Sequence, residues 1–394
     1  MTIRKIEDKD HFEAYKLAAY CFHQRIEVGE PDPQKIKEDT RQGWGAFDEE
    51  TLIAQIINNP FNFYLDGKKI KTGGIGAVST LPEYRDSGAI RQIFEKLIPQ
   101  AYKDGEVIST LYPFNHKFYR KFGYEVIPFR NEYTFSPDIL KDYQTTAEGS
   151  SIKITRWKNG EKADDYLEVY ESFAKTMNLS AVRTLEGMEK HLKYEKEFID
   201  RKFSYLFTKD EKPLAYLIFT DVYNSEAAEL HVNECAWTCR SGFNAILNFL
   251  SRFTADYGKI ILPLTKGIDL LKIITSPNAY NIEKRTCQHF MLRVVNAQKL
   301  LEVIKKPADC NFTIKIEDDL IKENNITLRV KSDSVTQTKD KPDIDLNIRA
   351  LSQLASGCSN IDEAMLRNDI IINSNEEMLR RVFTEKLIFV SESF

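Results

Sequence analysis

The junction at residues 70–103 constrains this chain most. A run rich in β-branched residues at 70–80 meets a turn holding Arg85 and Gly88, and an amphipathic segment follows at once. Ile90, Ile93, Phe94, Leu97 and Ala101 recur there at helical spacing and form one apolar stripe. A strand feeding a helix through a glycine turn belongs to layered folds in which helices cover a sheet. The surrounding segments agree. Residues 3–6, 52–57 and 61–65 read as strands, with Asp66-Gly67 as a hairpin turn. Residues 8–25 place Phe12, Tyr15, Ala19 and Phe22 on one helical face. After 103 come a strand at 107–112, a short helix at 115–121 and a strand from Tyr124. The expectation is an α/β (α+β) domain with a mixed sheet.

The 394 residues exceed one ordinary core, since domains average ~150 residues. The small, polar stretch 144–150 reads as a linker. Beyond it the plan recurs, with a strand at 229–237, a helix at 242–257 and a strand at 260–264. Ser241-Gly242 then falls where Ser87-Gly88 stands, with Cys239 in the place of Arg85, so the second copy lacks the arginine. A third unit has strands at 291–295, 312–316 and 326–330, and an exposed hairpin or loop at 331–342. Helices at 346–354 and 376–383 and a terminal strand at 387–390 complete it, ending at Phe394. Domains are expected at 1–146, 147–287 and 288–394.

Fifty-five basic and 59 acidic side chains nearly cancel, so no broad positive field exists to hold nucleic acid or an anionic membrane. Apolar runs such as 214–219 are too short to span a bilayer, and no secretory signal is visible. Six cysteines are too sparse for a disulfide framework, and the six histidines are scattered, so no metal site is expected. A cytoplasmic protein with free thiols fits these facts.

A helix beginning at a glycine-bearing turn presents unpaired N–H groups and the positive end of its dipole, which together suit phosphate. Gly88 would let a pyrophosphate approach the backbone, with Arg85 and Arg91 adding charge. On these residues alone an ordinary junction with solvent-facing arginines is the simpler reading. The segment, however, resembles the acetyl-CoA motif R-x-x-G-x-[GA] of the GNAT N-acetyltransferases. It departs from it at Ile90, where a small residue is usual. That departure is similar to the Eis (enhanced intracellular survival) family, whose turn reads R-x-x-G-[LA]-[LI]-R, matched by Arg85, Gly88, Ala89, Ile90 and Arg91. Phe118, Tyr119, Phe122, Gly123 and Tyr124 resemble the same family's F/I-Y-x-x-F-G-Y segment. The second copy looks like its central domain, and the last unit like its sterol-carrier-protein-like domain.

The resemblance implies tandem GNAT-like domains, a sterol-carrier-protein-like domain and transfer of an acetyl group from acetyl-CoA to a primary amine. Val78, Ser79 and Thr80 would pair with the pantetheine arm. Arg85, Asp86, Ser87, Gly88, Ala89, Ile90 and Arg91 would carry the pyrophosphate, and Phe114 and Asn115 would add contacts. Asp86 is discordant, because a carboxylate beside a pyrophosphate opposes binding unless it points away. Tyr119 corresponds to the general acid and the α-carboxylate of Phe394 to the general base. Taken alone, Tyr119 reads as a core aromatic and the chain end as a frayed tail. Glu27, Glu30 and Asp32 would attract a cationic acceptor such as an aminoglycoside, a polyamine or a lysine-type amine; they are equally readable as a solvated loop. Family members form hexamers, which implies a homo-oligomer. The competing function is a carrier of lipid or a small apolar ligand, using the last domain with the others as scaffold.

Overall fold

The computed structural model describes residues 1–23, 42–143, 151–161, 163–193, 201–223, 228–274 and 281–392. The expected linker at 144–150, the loop acids Glu27, Glu30 and Asp32, and Ser393 and Phe394 therefore lie outside the described residues. The chain groups into two compact units. One comprises 1–127, 289–385 and 392–394, and the other 128–288 and 386–391. The fold is mixed α/β, and the described residues form three mixed sheets.

In the first unit one sheet runs in the order Thr2–Lys5, Gln42–Asp48, Thr51–Leu65, Lys68–Thr80, Ile108–Leu111, Met291–Val294, Glu125–Val126. The two short strands expected at 52–57 and 61–65 are one strand of 15 residues. Asp66 and Gly67 both take positive φ, as a two-residue hairpin with the twist of its strands requires. Helix Ala89–Lys103 buries Ile93, Phe94, Leu97, Ile98 and Ala101 in the core of this sheet. Helix His11–Cys21 keeps only part of the expected face inward. Ala14, Leu17 and Ala19 are buried, whereas Tyr15 and Phe22 are exposed. Small side chains let this helix lie close to Phe47 and Leu52, and the bulky rings are left outside.

Met291–Val294, expected to open the third domain, instead lies antiparallel between Ile108–Leu111 and Glu125–Val126 in this first sheet. The same unit holds a second sheet in the order Val335–Gln337, Ile326–Lys331, Asn311–Glu317, Ile344–Asn347, Ile370–Ile372. The stretch expected as an exposed hairpin or loop thus contributes an edge strand, and the helix expected at 346–354 is Ile348–Ser356.

The second unit is built on the sheet Ile282–Cys287, Arg130–Phe135, Lys259–Thr265, Ala228–Trp237, Lys212–Tyr223, Arg201–Lys209, Lys153–Arg156. Helix Arg240–Leu250 packs Phe243, Ile246, Leu247 and Leu250 onto it. The terminal strand expected at 387–390 is not one; it makes a single isolated parallel bridge, Ile388 with Asn178.

Candidate active site

Strand Lys68–Thr80 has two partners, and only one follows it to its end. It pairs with Thr51–Leu65 as far as Thr80, but in parallel with Ile108–Leu111 only from Thr72 to Ile75. Two residues past that point Ala77 takes φ +48° and adds a residue to the register, so Gly76 faces Ile57 while Ser79 faces Gln55. Such a bulge bends its strand and ends pairing on one side. The backbone edge of Val78, Ser79 and Thr80 towards Ile108–Leu111 is therefore left without a ladder partner. Ser79 is buried and donates to the Ala77 carbonyl at 2.9 Å, which holds the bulge. Val78 packs its side chain on the core.

The turn follows. Gly88 caps helix Ala89–Lys103 at φ +79°, a left-handed conformation costly for other residues, and nothing lies within 4 Å of where a Cβ would stand. No acidic side chain occupies the first turn, and among the described residues no acceptor binds the N–H groups of Gly88, Ile90 or Arg91. The Ser87 hydroxyl takes only a long bond from Ala89, 3.4 Å. Arg85 and Asp86 are exposed; Arg91 is held by Glu95 at 2.8 Å. Ile90 is half-buried on the helix–sheet core, which accounts for a branched apolar residue where a small one was expected.

Asn115 caps the short helix His116–Arg120, its side chain accepting from the Phe118 N–H at 3.1 Å. That helix buries Tyr119 to 2% exposure. Its ring meets Phe94, Phe114, Phe118 and Tyr124 edge-on at 5.1–6.3 Å. Burial pushes the phenol well above its ordinary value, so it keeps its proton. Phe114 is 74% exposed, although it sits beside Phe118 and Tyr119.

Two further residues carry no sequence signal. Tyr112, at the end of strand Ile108–Leu111, donates its hydroxyl to the Glu392 carbonyl at 2.6 Å. This contact spans most of the chain, and no local pattern encodes it. Glu106 is buried with a carboxyl pushed up to about 7, by burial first, with the Asn58 hydrogen bond opposing. It lies beside Gly73, at the other end of the parallel pairing from the splay, and so stands apart from the turn.

A bulged, splayed strand, an open glycine turn and a helix N-terminus thus follow one another along residues 72–91. Residues 2–127 match the family model of the acetyltransferase (GNAT) domain. The chain carries a GNAT acetyltransferase domain. The protein is thus an enzyme of the N-acetyltransferase class. Residues 294–390 match a sterol carrier protein domain.

Solved structures share the architecture along the whole length. A conserved protein of unknown function from Enterococcus faecalis V583 superposes with TM-score 0.86 at 19% identity, covering 100% of this chain and 99% of its own. A GCN5-related N-acetyltransferase from Anabaena variabilis ATCC 29413 gives 0.84 at 18%, covering 98% of each. Eis1 from Mycobacterium abscessus gives 0.83 at 16%, covering 100% of both. No curated protein matches this chain in sequence.

The geometry of the GNAT domain's turn yields a direct test. Gly88→Ala is expected to add about 1–2 kcal/mol of backbone strain and to place a methyl in the open space at the helix N-terminus. The KM for acetyl-CoA should rise while kcat changes little. An unchanged KM would mean that the turn does not touch the cofactor.

Proposed function

We propose that this chain is an Eis-type N-acetyltransferase that moves an acetyl group from acetyl-CoA to a primary amine of a cationic acceptor. Aminoglycosides, polyamines and lysine-type amines are the candidate acceptors. The observation that carries this reading is the parallel pairing that stops at Ile75–Leu111, just ahead of the open, left-handed Gly88 turn.

In this reading Val78, Ser79 and Thr80 offer their unpaired backbone edge to the pantetheine arm. The helix N–H groups at Gly88, Ala89, Ile90 and Arg91, with Arg85, Asp86 and Ser87 lining the turn, receive the pyrophosphate. Phe114 and Asn115 border the thioester end. The neutral amine attacks the thioester carbonyl, and the C–S bond breaks as the amide forms. Tyr119 gives its proton to the leaving thiolate, and the carboxylate of Phe394 takes one from the amine nitrogen.

The Tyr112–Glu392 bond supports that base, because it ties the backbone two residues short of Phe394 to the end of the strand that leads into Phe114. A carboxylate near ~3.5 is a weak base for an ammonium near ~10. Removal from water raises the first and lowers the second, which narrows the gap. The resemblance also favours a homo-oligomer, a hexamer as in family members, working in the cytoplasm. Among the described residues no helix is long and apolar enough to cross a membrane.

The test is thiol release from acetyl-CoA across aminoglycosides, polyamines and basic peptides, with the native chain and with one glycine appended after Phe394. Turnover in the first and a loss on the order of 10²-fold in the second, at equal acetyl-CoA affinity, is expected. Equal turnover in both removes Phe394 as base. Absence of acetyl-CoA binding by the native chain would overturn the whole reading.

A further inference from the structure

Glu106 and Asn58 face each other inside the first unit and leave one hydrogen bond unmade. Both are more than nine-tenths buried. The Asn58 amide donates from Nδ2 to Glu106 Oε1 at 2.7 Å. The other two oxygens of the pair, Glu106 Oε2 and Asn58 Oδ1, have no partner among the described residues. They lie close together, since a Cβ on Gly73 would overlap both. Glycine at 73 is what leaves room for the pair.

Two acceptors cannot bond each other. An ionised carboxylate has no donor, so it would hold Oε2 against the amide oxygen in a place without water. Turning the amide over does not help, because it only exchanges which carboxylate oxygen faces the amide oxygen. A single proton removes the conflict. Protonated at Oε2, Glu106 donates to Asn58 Oδ1 while Oε1 still accepts from Nδ2. Acid and amide then close a ring of two hydrogen bonds, and no buried oxygen is stranded.

The charges around the pair do little to oppose that proton. Strand Thr51–Leu65, which carries Asn58, brings Tyr64 as its one titratable group and no charged side chain. Lys71, on strand Lys68–Thr80, favours the ionised form, but its Nζ is directed to the Asp104 carbonyl at 2.8 Å. Asp104 itself acts in the opposite sense. Lys68, Lys69 and Lys103 are exposed, and Lys299 of helix Ala297–Val303 lies beside Gly105. Arg293 is held by Asp318 and the Phe122 carbonyl. Tyr124 shares a hydrogen bond with Ser109 at 2.7 Å, and burial keeps its phenol neutral. Burial of Glu106 outweighs these influences and leaves its carboxyl at about 7, against an ordinary 4.5.

We propose that Glu106 takes up a proton in the native fold and closes a two-bond ring with Asn58, so that the joint between strands Thr51–Leu65, Lys68–Thr80 and Ile108–Leu111 depends on that proton. The ring lies where the parallel pairing of Thr72–Ile75 with Ile108–Leu111 begins, next to the bond from the Val107 N–H to the Lys71 carbonyl at 2.8 Å. The direction of the effect follows from linkage. The folded carboxyl holds its proton to a higher pH than the unfolded one. Stability from the ring is therefore complete below about 4.5, declines between about 4.5 and 7, and is gone above that range. The joint is tight in acid and loose in alkali.

The test compares the full native chain with Glu106→Gln, whose amide closes the same ring with no proton to lose. Exchange of the Val107 amide is followed in both, and the ratio of the two rates at each pH cancels the intrinsic pH dependence of exchange. The native-to-variant ratio is expected to rise about tenfold per pH unit between about 5 and 7, as one proton requires, and to level off above about 7.5. The spare hydrogen of the glutamine amide changes the ratio by a constant factor and leaves the slope alone. A ratio that stays flat from about pH 5 to 8 overturns the proposal. Carbon-13 NMR of the Glu106 carboxyl in the native chain gives a second readout, which stands even where the variant fails to fold. A titration midpoint within about one unit of 7 is expected. A lower midpoint would mean an ionised side chain with water or a cation between the two oxygens, and the ring would be overturned.

Discussion

Replacing Tyr119 with phenylalanine should lower kcat by on the order of 10²–10⁴-fold, the usual share of a positioned proton donor, and leave acetyl-CoA affinity as it was. The substitution is clean for a structural reason. The ring is held by edge contacts to Phe94, Phe114 and Phe118, all of which phenylalanine keeps. The hydroxyl makes no hydrogen bond among the described residues, so its removal strands no partner. Burial raises the phenol above its ordinary value and therefore keeps it neutral. A proton donor should be neutral before the reaction, but a raised value also makes donation harder, by about 1.4 kcal/mol per unit of mismatch. A thiolate emerging against Phe114 and Tyr119 would be desolvated in the same way, which raises its own basicity and restores the match. The native kcat profile should then show no alkaline limb from this group below pH ~10. A Tyr119→Phe enzyme within threefold of native rate would mark Tyr119 as a packing residue only.

The turn at Gly88 was legible because its signals are local. Gly88 requires a left-handed backbone, the stripe from Ile93 to Ala101 has helical period, and Asp66-Gly67 dictates a hairpin. Features set by distant partners were not legible. Ala77 carries no mark of a bulge, since an alanine at φ +48° is dictated by the sheet around it. Met291–Val294 reads as a strand, but nothing in four residues says that its ladder partners are Ile108–Leu111 and Glu125–Val126. Residues 387–390 are apolar enough for a strand, yet their burial comes from packing against splayed neighbours. Gly242 shows the converse error. A glycine near a helix start matched Gly88 in pattern, but its cause is the Leu214 carbonyl 2.5 Å from its Cβ position.

Asp318→Asn should cost on the order of 3–5 kcal/mol, the penalty for leaving a buried charge without its partner. Arg293 stands in the GNAT sheet and Asp318 just beyond strand Asn311–Glu317 of the sterol carrier protein domain. Both are buried, and Nη2 lies 2.7 Å from each carboxylate oxygen. The surroundings are built for this pair. The second guanidinium nitrogen, Nη1, donates to the Phe122 carbonyl at 2.6 Å, over Gly123, where any Cβ would fall 1.7 Å from it. Asp318 also accepts from the backbone of Leu320 and Ile321 and from Asn324. Neutralising the aspartate therefore leaves a guanidinium that cannot turn to water. At about 2–4 °C per kcal/mol for a unit of this size, the melting temperature should fall by roughly ten degrees. The double variant Arg293→Met with Asp318→Leu should lose less than the single change, because it removes both desolvation penalties together. Calorimetry on the three chains decides the matter. A single variant that melts like the native chain would show that the pair contributes nothing to joining the two sheets.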